Sequence, residues 1–184
     1  MHSTRHCVTL LAVLVLAMIA PQRAEAQHPQ TRHGFWFNVG FGYGTLGCQD
    51  CNGREGGFSG GLALGGTLSD KVMLGVATNG WTKTEGGATL TAGTVTAALR
   101  FYPSRTGGFF LLGGLGLGTL DAGVDAGAFQ VSASETGAGA LIGLGYDIRV
   151  ARNLSLTPFW NGLGMTFDGG DVNVGQIGFG LTVH

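Results

Sequence analysis

Two cysteines are the residues of this chain whose type and spacing most directly suggest chemistry. Cys48 and Cys51 form a Cys-x-x-Cys sequence, which is compatible with a disulfide, with free thiols, or with part of a metal or redox site. A thioredoxin-like redox role needs a βαβ context, and a zinc site needs two further ligands, which are not near in the sequence. Because an isolated pair in an exported protein is usually oxidised, we expect a Cys48–Cys51 disulfide.

Histidine is the usual general base in catalysis, so the positions of the histidines limit which catalytic sites the chain could form. Beyond residue 26 the chain contains His28, His33 and His184. All three lie near the ends of this part of the chain, away from any Ser-His-Asp arrangement, which leaves an acid–acid site as the remaining catalytic alternative. The sequence therefore predicts that the protein is not an enzyme, with no catalytic site, no cofactor and no metal centre.

The elements that carry these residues follow from the distribution of charge. Charged side chains leave eight charge-free windows of 11 to 16 residues beyond residue 33. This length suits a tilted transmembrane strand, which needs about 9–11 residues, and is too short for a spanning helix of about 20. The windows are Gly34–Gln49, Gly56–Ser69, Val72–Thr82, Gly86–Leu99, Thr106–Leu120, Thr136–Tyr146, Asn153–Phe167 and Val172–His184.

Residues inside the windows alternate between large apolar and small types, as in VGFGYG at 39–44 and IGFGL at 177–181. A period of two is the signature of a strand. The small faces carry Gly, Ala, Ser, Thr and Asn instead of the Lys, Glu and Asp of a water-exposed face, so we expect the apolar faces to meet lipid. The fold is therefore predicted to be all-β, an eight-stranded antiparallel up-and-down transmembrane β-barrel. Its strands are expected at about 34–46, 57–68, 72–82, 89–102, 108–120, 136–150, 154–166 and 172–183.

Connection lengths and special residues add detail to this barrel. Short connections at 69–71 and 151–153 alternate with longer ones such as 121–135. Short turns are typical of the periplasmic side of such barrels, which places both termini there. Pro158 cannot donate a ladder hydrogen bond, so it predicts a bulge or local break in the seventh strand. Several aromatic residues, among them Tyr102, Trp81 and Phe167, fall near strand ends and are expected in the aromatic girdles at the two membrane interfaces.

The N-terminal segment has the pattern of a secretory signal peptide. Arg5 precedes an apolar core at Cys7–Ala20, and Ala24-Glu25-Ala26 forms an A-x-A cleavage site. The predicted organisation is a signal peptide at 1–26, a periplasmic N-terminal tail at 27–33 and the barrel domain at 34–184.

Several segments together resemble a known family. They are the opening FWFNVGFGYG, the repeated LGxG hairpins and the ending IGFGLTV. These are similar to the outer membrane protein β-barrel domain family, whose members include small eight-stranded barrels like those of outer membrane proteins A and X. The resemblance implies an integral location in the outer membrane of a Gram-negative-type bacterium. It also implies insertion by the barrel assembly machinery through the C-terminal strand, although the chain ends in LTVH instead of the usual aromatic residue.

Three charged residues lie inside the predicted strands, namely Arg100, Asp147 and Arg149. By alternation all three point into the lumen near its periplasmic end. An isolated charge there would be costly, so Asp147 is expected to pair with Arg100 or Arg149. The alternative is that they lie in water at the strand ends.

The predicted outer loops are acidic. Asp121, Asp125 and Glu135 occupy the longest of them, which has no positive charge. Carboxylates suit hard divalent cations, and we expect weak, diffuse binding because no dedicated calcium motif is present; solvation of the loops is the simpler alternative. The chain has no basic patch, which excludes nucleic acid as a partner.

These observations predict an integral outer-membrane protein with a structural or surface-interaction role, whose partners are outer-membrane lipids. The first alternative is a narrow channel. Trp36, Phe110 and Leu141 are expected to point inward, where an eight-stranded barrel is just wide enough for side chains to fill it, and this favours a closed lumen. The second alternative is an exported soluble ligand-binding barrel.

Overall fold

The computed structural model describes residues 32–49, 51, 53–125 and 130–184, which form nine β-strands. No helix in these ranges is long and apolar enough to cross a membrane. The predicted signal peptide, 1–26, and residues 27–31 of the predicted tail lie outside the described residues. The strands are β1 (Phe35–Cys48), β2 (Glu55–Ser69), β3 (Val72–Glu85), β4 (Ala88–Phe101), β5 (Phe109–Asp125), β6 (Gln130–Tyr146), β7 (Ile148–Ala151), β8 (Leu154–Phe167) and β9 (Gly170–Val183).

All the strands are antiparallel, and the sheet closes on itself. β1 pairs with β2 on one side and with β9 on the other, so that Phe41 lies opposite both Gly60 and Phe179. β6 and β7 both pair with β8 and form one crossing, which is interrupted at Asp147. The structure therefore confirms an eight-stranded antiparallel barrel. We call the end that holds Arg32 and His184 the base, and the opposite end the rim.

The two faces of the wall have the predicted composition. Large apolar side chains on the outer face are exposed, among them Phe41 (58%), Leu64 (47%) and Leu115 (74%). The inward residues between them are small or buried. The buried apolar set that fills the lumen includes Trp36, Met73, Trp81, Phe110, Leu141, Leu163, Met165 and Val174.

Glycine at inward positions lets neighbouring strands approach closely. A Cβ on Gly42 would lie 2.0 Å from the backbone oxygen of Ile177, and one on Gly178 would lie 2.2 Å from that of Phe41. Neither contact is sterically allowed, so any side chain there would push the strands apart. Inward glycine thus permits the strong coiling that a narrow barrel requires.

At the rim, the structure differs from the predicted loops in their bounds and lengths. The segment 121–135, expected to be a loop, is mostly an extension of the β5–β6 hairpin, with pairing as far as Asp125 opposite Gln130. The β3–β4 connection is only Gly86-Gly87, both with positive φ, and the longest described connection, 102–108, lies at the base. The predicted difference in connection length is wrong because a charged residue beyond the bilayer meets water and does not end a strand.

The strand break predicted at Pro158 does not occur in its own strand, β8, but in the neighbouring strand. β8 is continuous and pairs Pro158 with Phe179 of β9. The break falls across from it, between β6 and β7, where the backbone N–H of Asp147 donates to the oxygen of Gly108 at 2.9 Å. A proline offers no N–H to that side, which explains the interrupted ladder.

Three aromatic residues expected in the girdles lie inside the barrel. Tyr102 is fully buried, Trp81 is 1% exposed and Phe167 is 8% exposed. Tyr102 follows the end of β4, so the strand alternation that places Phe101 outward sends Tyr102 under the base of the lumen. Tyr146, in contrast, is 46% exposed on the outer face.

Candidate functional site

Asp147 is the centre of a polar cluster that closes the base. It lies in the break between β6 and β7 and is fully buried. Its carboxylate accepts hydrogen bonds from the hydroxyls of Tyr102 and Thr157, both at 2.7 Å. Nε2 of His184 lies 3.6 Å from Oδ2. The sequence indicated an inward Asp147 but not the identity of these partners, which come from three other parts of the chain.

Arg100 lies above this cluster and is 3% exposed. Its register position opposite Met73 and Leu112 turns the side chain inward. The guanidinium carbon lies 4.9 Å from the ring centre of Trp36 and 4.2 Å from that of Phe110. Aromatic faces attract a cation, but they accept none of the hydrogen bonds from its N–H groups.

Arg149 is half-buried beside the cluster, and its Nη1 donates to the backbone oxygen of Arg152 at 3.4 Å. The structure thus brings the three charged residues predicted from alternation, Arg100, Asp147 and Arg149, to the base of one lumen. Ion pairing of Asp147 with either arginine stays a prediction.

Arg32 is a component of the base that sequence reasoning placed in the tail. It is 1% exposed, and its guanidinium carbon lies 3.6 Å above the ring of Tyr102. Its N–H groups donate to the backbone oxygens of Asp70, Arg105 and Gly107. Arg32 therefore ties two base turns together below the lumen. The sequence carried one signal for this role, an arginine directly before the first charge-free window.

Side chains bridge the lumen above the base. Nδ2 of Asn161 donates to Oδ1 of Asn79 at 3.3 Å, and Nε2 of Gln176 donates to the oxygen of Gly80 at 2.9 Å. Nε1 of Trp81 donates to the oxygen of Gly44 at 3.0 Å. Below the Asn79–Asn161 bridge a cavity of about 30 Å³ remains, which also contacts Arg100.

The rim holds one small ion network. Nζ of Lys83 lies 2.6 Å from Glu55 and 2.5 Å from Glu85. Lys83 and Glu85 lie near the tip of the β3–β4 hairpin, and Glu55 begins the neighbouring strand β2. The hydrogen bond from Lys83 lowers the pKa of Glu85, and Glu55, followed by Glu85, raises the pKa of Lys83. The network is exposed, so it contributes little to stability.

The predicted cysteine pair and acidic group also lie at the rim. A disulfide bond joins Cys48 and Cys51, whose Cα atoms are 5.1 Å apart. Asp121 lies on β5 opposite Ser134, whereas Glu135 lies on β6 opposite Leu120. By alternation Asp121 faces outward while Glu135 faces the lumen, and Asp125 ends β5 opposite Gln130, so the three residues do not form one acidic loop.

Within the described ranges, no group of three or more His, Cys, Asp and Glu side chains could hold a metal ion. Of the histidines considered for catalysis, His33 is exposed, His184 belongs to the buried base, and His28 lies outside the described residues. The arrangement at the base is suited to holding strands together, since its polar groups face one another instead of an open cleft.

Known proteins share this architecture. Residues 9–184 match the model of a family described as outer membrane protein beta-barrel domain. The structure is similar to that of Ail, the attachment invasion locus protein of Yersinia pestis, with 15% identity and a TM-score of 0.59, over 83% of this chain and 99% of that chain. It is also similar to Neisserial surface protein A, with 19% identity and a TM-score of 0.60, over 84% of this chain and 99% of that chain. At these identities the likeness shows the fold alone. No curated protein sequence matches the chain.

Proposed function

Because the chain belongs to the outer membrane protein β-barrel domain family, we propose that it is an integral outer-membrane protein with a structural or surface-interaction role and no catalytic site. The family and the similar structures support a location in the bacterial outer membrane. In that setting the base faces the periplasm and the rim faces the outside, as in other barrels with an even number of strands.

The observation that carries this proposal is the inside-out distribution of side chains. The outer wall exposes large apolar residues around the barrel, such as Phe35 (64%) and Ile177 (61%), while polar side chains such as Gln176 and Thr182 are buried in the lumen. A soluble protein rarely exposes contiguous apolar patches beyond a few hundred Å². This argues against the exported soluble ligand-binding barrel.

The filled lumen argues against the narrow channel. Trp36 and Phe110 lie near the base, and the bridges made by Asn161 and Gln176 cross the interior. The cavity beside Arg100, of about 30 Å³, is far smaller than a continuous water path. We expect no steady conductance in planar bilayers; discrete, reproducible openings would favour the channel.

Two further partners belong to the proposal. The C-terminal strand β9 presents Phe179, Leu181 and Val183 outward, which supports recognition by the barrel assembly machinery. The acidic residues of the rim support weak binding of divalent cations. One similar structure is Ail in complex with a heparin analogue, sucrose octasulfate. The acidic rim of the present chain argues against a polyanion of that kind as its ligand.

The test is fractionation of the expressed full chain. We expect it in the outer membrane, resistant to carbonate extraction, and with a gel mobility that changes on heating because the closed barrel survives detergent until it is heated. Recovery as a soluble periplasmic monomer would overturn the proposal.

A further inference from the structure

The two buried arginines of the barrel differ in how their N–H groups are satisfied. Arg32 donates to three backbone oxygens at the base. Arg100 is equally buried, yet its Nε and Nη1 atoms have no hydrogen-bond partner among the described residues. The flanking rings of Trp36 and Phe110 stabilise its charge only through their faces. A buried charge with unsatisfied donors is costly, so Nε and Nη1 of Arg100 still need an acceptor.

A cavity adjoins this guanidinium. It has a volume of about 30 Å³ and is bounded by Arg100 and Phe110 on one side and by Asn38, Asn79 and Asn161 on the other. This is room for about two water molecules or one ion of similar size. Nδ2 of Asn38 and one N–H of Asn161 are already engaged. The arginine and the remaining amide N–H groups of Asn79 and Asn161 are donors, which suits an anion.

Carboxylates do not fill this role in the described lumen. Asp147 is the one buried acidic residue there, and its oxygens already accept from Tyr102 and Thr157. It does not line the cavity. Asp147 attracts Arg100 electrostatically but leaves Nε and Nη1 of Arg100 without an acceptor, and a mobile anion in the cavity is the group that supplies one.

We propose that the cavity binds one small monovalent inorganic anion of halide size, chloride under ordinary conditions, which accepts hydrogen bonds from Nε and Nη1 of Arg100. Asn79 and Asn161 close the site on the rim side. The ion acts as an internal counter-ion that stabilises the folded barrel. This inference rests on the lumen geometry and is independent of any role at the cell surface.

The direct test replaces chloride by bromide in crystals of the detergent-solubilised barrel. We expect one anomalous peak inside the lumen, within hydrogen-bond distance of the Arg100 guanidinium. An absence of bromide there, with water alone in the cavity, would overturn the proposal. This measurement uses the unaltered protein and does not depend on a variant that folds.

The second test is thermal unfolding in detergent, with chloride exchanged for gluconate at constant ionic strength. Mass action predicts that the unfolding midpoint rises by about 3–6 °C for each tenfold increase in chloride above the dissociation constant. Arg100→Met should lose this response, and Asn161→Leu should weaken it. Arg105→Met, which removes the same charge from an exposed base turn, should keep it. Equal responses in Arg100→Met and Arg105→Met would assign the effect to general salt and contradict the site.

Discussion

At the scale of single residues, the inward and outward glycines differ in the space that an added Cβ would have. Gly65 and Gly66 are neighbours on β2 and face opposite sides of the wall. A Cβ on Gly65 would lie 2.1 Å from the backbone oxygen of Leu74, whereas one on Gly66 would meet no atom within 4 Å. The two positions therefore form a matched pair in the same strand.

We predict that Gly65→Ala destabilises the barrel by about 1–3 kcal/mol, because the strands must separate to admit the methyl group. Gly66→Ala should change the free energy of unfolding by less than about 0.5 kcal/mol. Urea unfolding in detergent micelles measures both. Equal effects of the two substitutions would show that close strand contact is not the reason for inward glycine.

Asp147 provides the second prediction at this scale. Replacing it by Ala should cost more than about 1 kcal/mol, since the buried hydroxyls of Tyr102 and Thr157 lose their acceptor. Asp70→Ala, on an exposed base turn, is the control and should cost less than about 0.5 kcal/mol. Equilibrium unfolding compares the two.

The ion-pair part of this cluster needs a double-mutant cycle. Asp147→Ala is combined in turn with Arg100→Gln and Arg149→Gln. Coupling with either arginine supports the predicted pair, because a buried charge left alone is costly. If neither cycle shows coupling, the hydroxyl hydrogen bonds alone explain the role of Asp147.

At the scale of the elements, the depth of a residue along its strand decides the effect of a charge. β5 runs from Phe109 to Asp125, which is longer than the bilayer requires. Leu115 lies in its membrane-spanning part, while Val124 lies near the rim on the β5–β6 extension. Leu115 faces outward, whereas Val124 by alternation lies on the inner face of the hairpin above the filled lumen; both side chains are exposed.

Leu115→Arg should therefore cost about 2–4 kcal/mol, and Leu64→Arg on β2 should behave alike, because the charge enters hydrocarbon. Val124→Arg, on the same strand but beyond the interface, should cost about 0–1 kcal/mol because the charge stays in water. Unfolding free energies in lipid bilayers test this order. A similar cost at Val124 and Leu115 would place the membrane boundary elsewhere.

At the scale of the whole molecule, the two ends differ in charge. The rim side carries most of the acidic residues, and its basic residues are Arg54 and Lys83. The base and lumen, in contrast, carry more basic than acidic residues. Arg54 is held by Thr45 and Asn173, and Lys83 is held by Glu55 and Glu85. Among the described residues, Asp121, Glu135, Asp168 and Asp171 form no ion pair, so these carboxylates can attract cations from solution.

We predict a small rise in thermal stability with calcium or magnesium, relative to sodium at matched ionic strength. The rise should shrink when Asp121, Asp125 and Glu135 are neutralised together. Because Asp121 and Glu135 face opposite sides of the hairpin, the binding should be weak and should not distinguish calcium from magnesium sharply. A response unchanged by the triple variant would mean that the rim carboxylates are merely solvated.

Much of this architecture was predictable because its signals are local. A period of two and charge-free windows of strand length indicate how many times the chain crosses and which face meets lipid, as at Phe41 and Leu115. The strand ends were less predictable. Asp121 and Glu135 looked like loop residues, because a charge ends an apolar window whether or not the backbone pairing continues beyond it.

The sequence by itself determined the eight crossings, their faces and the inward direction of Arg100 and Asp147. Only the tertiary structure decided that Arg32 closes the base, that Tyr102 and Thr157 hold Asp147, and that a cavity adjoins Arg100. The physical reason is register. These contacts join residues far apart in sequence, such as Arg32 and Gly107, and they exist only once closure of the barrel fixes how each strand is shifted against the next.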